Sequence, residues 1–335
     1  MGLQNSGAIS LDDMHVEVGG TSGTQCSLND ADIRALIDVG DSGQQSIQQY
    51  YGKSSETSLP TGGSQVNGQV QLKQITASSY ISSGGTLRVP SNMWVWSDSR
   101  TVAALIIDIS CTVINDGKII GKGGKGRWYQ GGGGGTQDGH PGGPAISVTA
   151  SGVTITNSSG AYIAGGGGGG SNGQDGGDPQ DQSGGGGGGA GGGEGGNGHY
   201  NRESAGGTLN AIGEHAKHPQ TGSVVLSNGG GAGGGGGGAY AYPGGGGGRI
   251  LPGSGGVFSS SYNWGSGGSA GNVGYGPGPA GQPGSHVSGG GGGWGAAGGN
   301  GSGPSYPYNI GGAGGAAITG VSRTLSNSGT IYGST

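Results

Sequence analysis

Apolar positions change their spacing along this chain. In the first 55 residues they fall three and four apart. Ile33, Leu36 and Ile37 mark one face, which predicts a helix over 30–39, capped by Ser27 or Asn29 and closed by Gly40. Ser10 with Asp13 predicts a second helix start, the hydroxyl as cap and the carboxylate in the first turn. From residue 66 the spacing drops to two. Val70 and Leu72 alternate with polar residues, Ile75 follows, and Met93, Trp94, Val95 and Trp96 form a further strand. Residues 102–107 are apolar on both faces and predict a strand sandwiched between two layers.

Beyond residue 110 a unit repeats. The stretch from Thr112 through Asn115 and Gly117 to Gly121 aligns with Thr154 through Asn157 and Gly160 to Gly165, and again with Thr324 through Asn327 and Gly329 to Gly333. Each copy reads as strand, Asn/Gly turn, strand. The first two run into glycine-rich sequence, and a fragment at 224–228 leads into another such run. Strand units therefore form a base from which glycine segments launch.

Glycine supplies 96 of 335 residues, of which only 14 precede residue 121. Uninterrupted runs occupy 131–135, 165–170, 184–189, 233–238, 244–248 and 289–293. Glycine loses the most backbone freedom on ordering and has no side chain to bury. Such runs are either solvated tethers or segments stacked so closely that only glycine fits. Their regular interruption by other sequence favours stacking in polyproline II geometry, with three residues per turn and N–H groups free to bond to neighbouring segments. The strict Gly-X-Y register of collagen is absent. The expected fold is thus mainly β and irregular: a small helical N-terminal docking module (1–55), a β-rich connector (56–128) and a glycine-rich polyglycine II bundle (129–335).

Composition narrows the function. Apolar residues make up 29% and charged residues 9%, too few for a large oily core and too few charges for an ordinary solvated disordered chain. A net charge of −5 gives no electrostatic case for nucleic acid or an anionic membrane. Cys26 and Cys111 are expected as free thiols, a disulfide being the less favoured alternative. No basic-then-apolar leader opens the sequence, and 102–107 is far too short to cross a bilayer, so the expectation is synthesis in a cytoplasm and no membrane insertion.

The connectors between runs carry the chemistry. They hold Tyr200, Tyr240, Tyr242, Phe258, Tyr262, Trp264, Tyr275, Tyr306 and Tyr308 among Ser, Asn, Gly and Pro, and Trp294 flanks a run. Rigid aromatics among small polar residues are the composition of antibody paratopes. Aromatics that cap the ends of a glycine bundle would look the same. Tyr262, Trp264, Tyr275, Tyr306 and Tyr308 are the first candidates for binding, followed by Tyr240 and Tyr242. Several motifs carry less. Gly267–Gly271 matches a nucleophile elbow but lacks the strand and helix around it. Gly52-Lys53-Ser54 lacks the upstream glycine of a phosphate loop. His215 and His218, with His199, are weaker as a metal set than as a solvated loop, and so are Asp175, Asp178 and Asp181. No pair of carboxylates is placed for catalysis. No cofactor, metal or enzymatic activity is expected.

The alternation of glycine runs with aromatic loops, over roughly 110–335, resembles the adhesins at the tips of long tail fibres in T-even-like bacteriophages. The stretch from Asn327 to Gly333 resembles the close of many phage tail-tip proteins. Ser27 to Asp30, and Tyr50 to Ser54, resemble a short N-terminal segment of other phage tail proteins, and this part departs from the T-even adhesins. The resemblance implies a layered polyglycine II sandwich whose loops bind outer-membrane proteins or surface glycans of the host. It also implies location on the virion tail and attachment of 1–55 to other tail or fibre proteins, with a homo-oligomer open. A purely structural tail component is the alternative of another class; a depolymerising enzyme and an ice-binding protein rank below both.

Overall fold

Short strands joined by tight corners wind parts of the chain between residues 56 and 332 into a three-sided coil. The computed structural model describes residues 3–4, 6–37, 39, 43–51, 56–61, 65–66, 69–127, 138–171, 181–182, 186–193, 240–241, 289–301 and 310–335. Its strands are β1 (Glu56–Ser58), β2 (Gln65–Val66), β3 (Gln69–Lys73), β4 (Ile75–Thr76), β5 (Thr86–Val89), β6 (Met93–Trp96), β7 (Leu105–Ile107), β8 (Thr112–Asn115), β9 (Lys118–Ile120), β10 (Ile146–Val148), β11 (Val153–Asn157), β12 (Tyr162–Ala164), β13 (Asp181–Gln182), β14 (Tyr240–Ala241), β15 (Ile318–Gly320), β16 (Arg323–Asn327) and β17 (Thr330–Tyr332). Three sheets have the orders β15-β10-β7-β4, β1-β5-β8-β11-β16 and β17-β12-β9-β6-β3-β2. The pairs are parallel except β2 with β3. From β4 onward each circuit adds one rung to each sheet in the same order, so the chain forms a parallel β-solenoid. The expected mainly-β character holds, with parallel sheets and few helices.

The core of the solenoid is a set of aliphatic stacks set by register. Leu87, Val113, Ile155 and Leu325 are successive rungs of one, and Val95, Ile119, Ile163 and Ile331 of another. Most of these side chains are fully buried. The repeat seen in the sequence becomes adjacent rungs: Thr112 pairs with Thr154 and Thr154 with Thr324. Its two strands lie in different sheets and bond to the next copy, not to each other. The Asn of each copy forms an internal ladder. Asn115 Nδ2 donates to Asn157 Oδ1 (2.8 Å), and Asn157 Nδ2 to Asn327 Oδ1 (2.8 Å). Asn115 Oδ1 also accepts the Gly117 N–H, which fixes the corner. In the second copy the corner contains Gly160 at φ +81°, a conformation that a β-carbon disfavours.

Two sequence expectations change in detail. The 102–107 strand shrinks to Leu105–Ile107: Ala103 and Ala104 are buried corner residues and Val102 is exposed. The 30–39 helix shrinks to α2 (Ala31–Ala35), and the Asn29 side chain accepts from the buried Arg34 guanidinium instead of capping. Helix α1 (Leu11–Glu17) has the expected Ser10 cap, and Asp13 also reaches back to the Ser10 N–H, which completes a capping box. Leu3, Ile9, Met14, Ile33, Leu36 and Tyr50 form a small separate core. Both cysteines are free; burial pushes the Cys111 thiol up to about 11.

Two glycine-rich excursions leave the solenoid, between β9 and β10 and between β12 and β15. Among the described residues they supply segments 121–127, 138–144, 165–171, 186–193, 289–294, 295–301 and 310–316, which pack side by side. Segment 165–171 lies at the centre, and its bonds repeat every three residues. Gly166 and Gly169 donate to Gly143 and His140, Gly167 and Gly170 to Ala190 and Gly187, and Gly168 and Ser171 to Ala296 and Gly299. The carbonyls follow the same period. Those of Gly166 and Gly169 accept from Gly315 and Gly312, those of Gly167 and Gly170 from Gly124 and Arg127, and those of Gly168 and Ser171 from Gly292 and Gly289. Six different segments are engaged, at 2.7–3.1 Å. No glycine of 165–170 has positive φ. A β-carbon at any of Gly166 to Gly170 would lie closer than 3.0 Å to neighbouring backbone, so glycine is required there for space.

Two measurements check this packing. The amides of Gly166 to Gly170 will exchange with solvent only on global unfolding, and Gly168→Ala will cost on the order of 3 kcal/mol, while Ser326→Ala on an exposed strand face stays near wild type. Rapid exchange, or unchanged melting of Gly168→Ala, contradicts the packing. Asn157→Ala, which removes the partner of one buried Asn115 amide N–H and breaks the link to Asn327, will cost about 2 kcal/mol in denaturant melts; a loss within error of Ser326→Ala would show that the ladder is dispensable.

Candidate functional site

The bundle has two unlike ends. Toward the sheets, Trp94 and Trp96 of β6, Ile120, Ala164, Ala190 and Trp294 form a buried cluster, with Tyr162 and Tyr332 packed against it. The Trp294 ring lies 6.2 Å from Trp94, 5.9 Å from Tyr162 and 5.7 Å from Tyr332. Lys118 Nζ stands 4.8 Å from the Trp94 ring centre and 5.8 Å from that of Tyr162, and burial lowers its pKa. Lys122 Nζ donates to the Gly192 carbonyl at 2.6 Å. Trp294, which the sequence left between binding and capping, is an internal cap: it is fully buried at the turn joining two segments.

At the opposite end the segment termini are netted together. The Arg127 N–H bonds to the Gly170 carbonyl, and the Arg127 carbonyl accepts the Gly186 N–H. Ser171 is fully buried; its carbonyl accepts from Gly289 and its hydroxyl from the Gly301 N–H. Asp138 Oδ1 accepts the Ile310 N–H at 2.7 Å, and Asn300 Oδ1 the Gly311 N–H at 2.9 Å. These residues flank 128–137, 172–185 and 302–309, and Gly289 follows 242–288. Each of the first three stretches starts and finishes at this end, and the fourth finishes there. Small polar side chains therefore fix where the connectors emerge. Sequence reasoning placed Asp138, Ser171 and Asn300 within or at the start of connectors but gave them no anchoring role; their one signal was a hydrogen-bonding side chain at or near the margin of a glycine-rich segment.

Charge gathers along one flank. Segments 121–127 and 138–144 are neighbours, with His140 N–H bonded to the Lys125 carbonyl and Gly143 N–H to that of Lys122. Burial first, then the charges of Arg100, Arg127 and Lys125, hold the His140 pKa below its ordinary value. The imidazole is therefore mainly neutral at pH 7.

Of the residues expected to bind, Tyr240 is described by its backbone. It lies in β14, which pairs in parallel with β13 (Asp181 with Tyr240, Gln182 with Ala241) and so ties it to the 172–185 connector. Tyr242, Tyr262, Trp264, Tyr275, Tyr306 and Tyr308 lie outside the described residues, as do His199, His215, His218, Asp175, Asp178 and the 267–271 and 52–54 motifs. Among the described residues no three His, Cys, Asp or Glu side chains are placed to hold a metal, and no helix is long and apolar enough to cross a membrane.

A family model described as phage tail fibre adhesin Gp38 matches residues 56–233. That stretch contains β1 to β13 and the first four described glycine segments. No curated protein matches. A solved structure, the gp37-gp38 adhesin tip complex of the bacteriophage S16 long tail fiber, aligns at 19% identity over 98% of this chain and 99% of that one, with a TM-score of 0.33. With more than half of its length matched by the family model, the chain belongs to the phage tail fibre adhesin Gp38 family.

Proposed function

We propose that this tail fibre adhesin is non-enzymatic and holds a host surface receptor, an outer-membrane protein or a surface glycan, through aromatic connectors on the free end of a polyglycine II sandwich. The observation that carries the reading is the convergence of segment termini at Arg127, Asp138, Ser171, Gly186, Gly289, Gly301 and Ile310, which launches connectors from a single end. The three-residue period and six neighbours of 165–171 support the polyglycine II description. A stiff frame suits recognition, because connectors with fixed ends lose less freedom on binding. Several copies on one virion would add avidity.

The division of labour follows the chain. Residues 1–55, with their separate small core, attach to another tail or fibre protein; the solved complex named above pairs a gp38 with a gp37. The strands of 56–128 form the base. Residues 129–335 return strands to that base and carry the recognition connectors, with Tyr240, Tyr242, Tyr262, Trp264, Tyr275, Tyr306 and Tyr308 as the contact residues. Among the described residues of the netted end, the Asp138 carboxylate is engaged by the Ile310 N–H, a structural role.

Tyr306→Ala with Tyr308→Ala will reduce adsorption to host cells about 30-fold, the loss of one hot spot of roughly 2 kcal/mol, with the melting temperature unchanged. Trp294→Ala will do the converse, lowering the melting temperature first. Adsorption that survives alanine at all seven contact residues would favour a purely structural tail component.

A further inference from the structure

Among the described residues three dipeptides join Asp or Asn to Gly: Asp116-Gly117, Asp138-Gly139 and Asn300-Gly301. Such pairs are chemically labile, because a glycine has no β-carbon to keep its own nitrogen away from the preceding side chain. All three are held in the same way. The Gly117 N–H donates to Asn115 Oδ1, that of Gly139 to the Ile310 carbonyl, and that of Gly301 to Ser171 Oγ. The side-chain oxygens are engaged as well. Asp116 accepts from the Arg88 guanidinium, Asp138 Oδ1 from the Ile310 N–H, and Asn300 Oδ1 from the Gly311 N–H at 2.9 Å. Gly117, Gly139 and Gly301 are all buried.

Asn300-Gly301 is the most reactive of the three, since its side chain is an amide that can lose ammonia. The chemistry is intramolecular. The Gly301 nitrogen gives its proton to hydroxide and bonds to Asn300 Cγ. The Cγ–Nδ2 bond breaks, and ammonia leaves with a proton returned by water. Water then opens the five-membered imide at either carbonyl, which leaves an aspartyl or an isoaspartyl linkage at position 300. The nitrogen attacks along the direction of the proton it has lost. In the folded chain that direction leads to the hydroxyl of Ser171, a fully buried residue of another segment. The Asn300 carbonyl is held by a third segment, at Gly311. Nucleophile and target thus have different partners, and ring closure demands that both bonds open together. An isoaspartyl linkage also lengthens the main chain by one carbon, which takes Gly301 away from Ser171.

We propose that Asn300-Gly301 is a spontaneous deamidation site gated by the netted end. It is slow while the Ser171 and Gly311 bonds are made, and water converts it irreversibly when that end opens. The site therefore records opening: each excursion long enough for ring closure leaves a permanent mark at the anchor that precedes 302–309. Local openings of this kind have their own free energy, below that of global unfolding. The inference rests on the anchors alone and not on what the connectors bind. Asp138-Gly139, at the facing anchor, is held against the slower isomerisation of aspartate by its two bonds to Ile310.

The test incubates the native full chain, the same chain unfolded in urea, and a synthetic peptide of residues 296–305 at mildly alkaline pH. Peptide mapping follows the conversion of Asn300, and enzymatic methylation of isoaspartate identifies the isomer. The urea sample will convert like the peptide. Native Asn300 will convert on the order of a hundredfold more slowly, the effect of two hydrogen bonds that must open first. Ser171→Gly removes the hydroxyl and keeps the backbone of a glycine segment. It will raise the native rate about tenfold, the loss of one such bond, and leave the urea rate unchanged. In the wild type, the slowing will match the opening constant read from exchange of the Gly301 amide, which keeps the test decisive if Ser171→Gly fails to fold. The proposal is overturned if native Asn300 converts as fast as the peptide, if folded Ser171→Gly converts at the wild-type rate, or if Gly301 exchanges freely while Asn300 stays intact.

Discussion

Backbone hydrogen bonding at contact distance is the interaction on which the far end of this molecule depends. Around segment 165–171 every donor and acceptor from Gly166 to Ser171 is used, spread over six neighbours. Each bond contributes only about 1 kcal/mol net, and ordering a residue costs about as much or more. The packing therefore closes only where segments are near enough for dispersion and complete hydrogen bonding to act together. Side chains would hold the segments apart. The aliphatic side chains are gathered in the solenoid core, so no oily core substitutes for these bonds among the described glycine segments. An interior built from backbone carries no side-chain chemistry, so chemistry is displaced to the flanks, the two ends and the connectors.

The solenoid fixes where that interior begins. Gly121 N–H bonds to the Ala164 carbonyl and Gly165 N–H to that of Tyr332, which continues the ladders of β9, β12 and β17 directly into the glycine segments. A parallel sheet, whose strands already lie side by side in register, thus hands on to the bundle without a break. Trp294, Trp94, Tyr162 and Tyr332 fill the joint. Trp294 adds apolar area and Gly295, at φ +62°, turns the chain beside Tyr332 and Gly333, where a β-carbon would not fit.

Much of this was legible in the sequence, unevenly. The aligned Thr112, Thr154 and Thr324 units became neighbouring rungs with no shift of register, and Asn115, Asn157 and Asn327 their internal ladder. The third side of the coil was legible only in part: 102–107 read as a strand, but Ile75–Thr76 ran on from the preceding strand and Ile146–Val148 is too short for a period to appear. The stacking of the runs could be inferred from glycine's energetics, but the identity of the six neighbours could not, since glycine carries no pattern. At the free end aromatic residues drew attention by size. Asp138, Ser171 and Asn300, which hold the connectors, look like ordinary loop residues, and their role exists only once distant segments meet. The basic flank was hidden by a net charge of −5, a sum over the whole chain that does not register a local concentration.

The same contrast explains how one chain can be intolerant and adaptable at once. A methyl group added at Gly168 meets backbone on a neighbouring segment, and that backbone cannot move without breaking its own bonds. A residue added within 128–137 or 302–309 leaves Arg127, Asp138, Gly301 and Ile310 where their hydrogen bonds hold them, and lengthening such a stretch costs only a slowly growing closure entropy. Fixed anchors are what let the length between them change. Each property belongs to a separate class of position: glycine where backbones touch, and all other chemistry where they part.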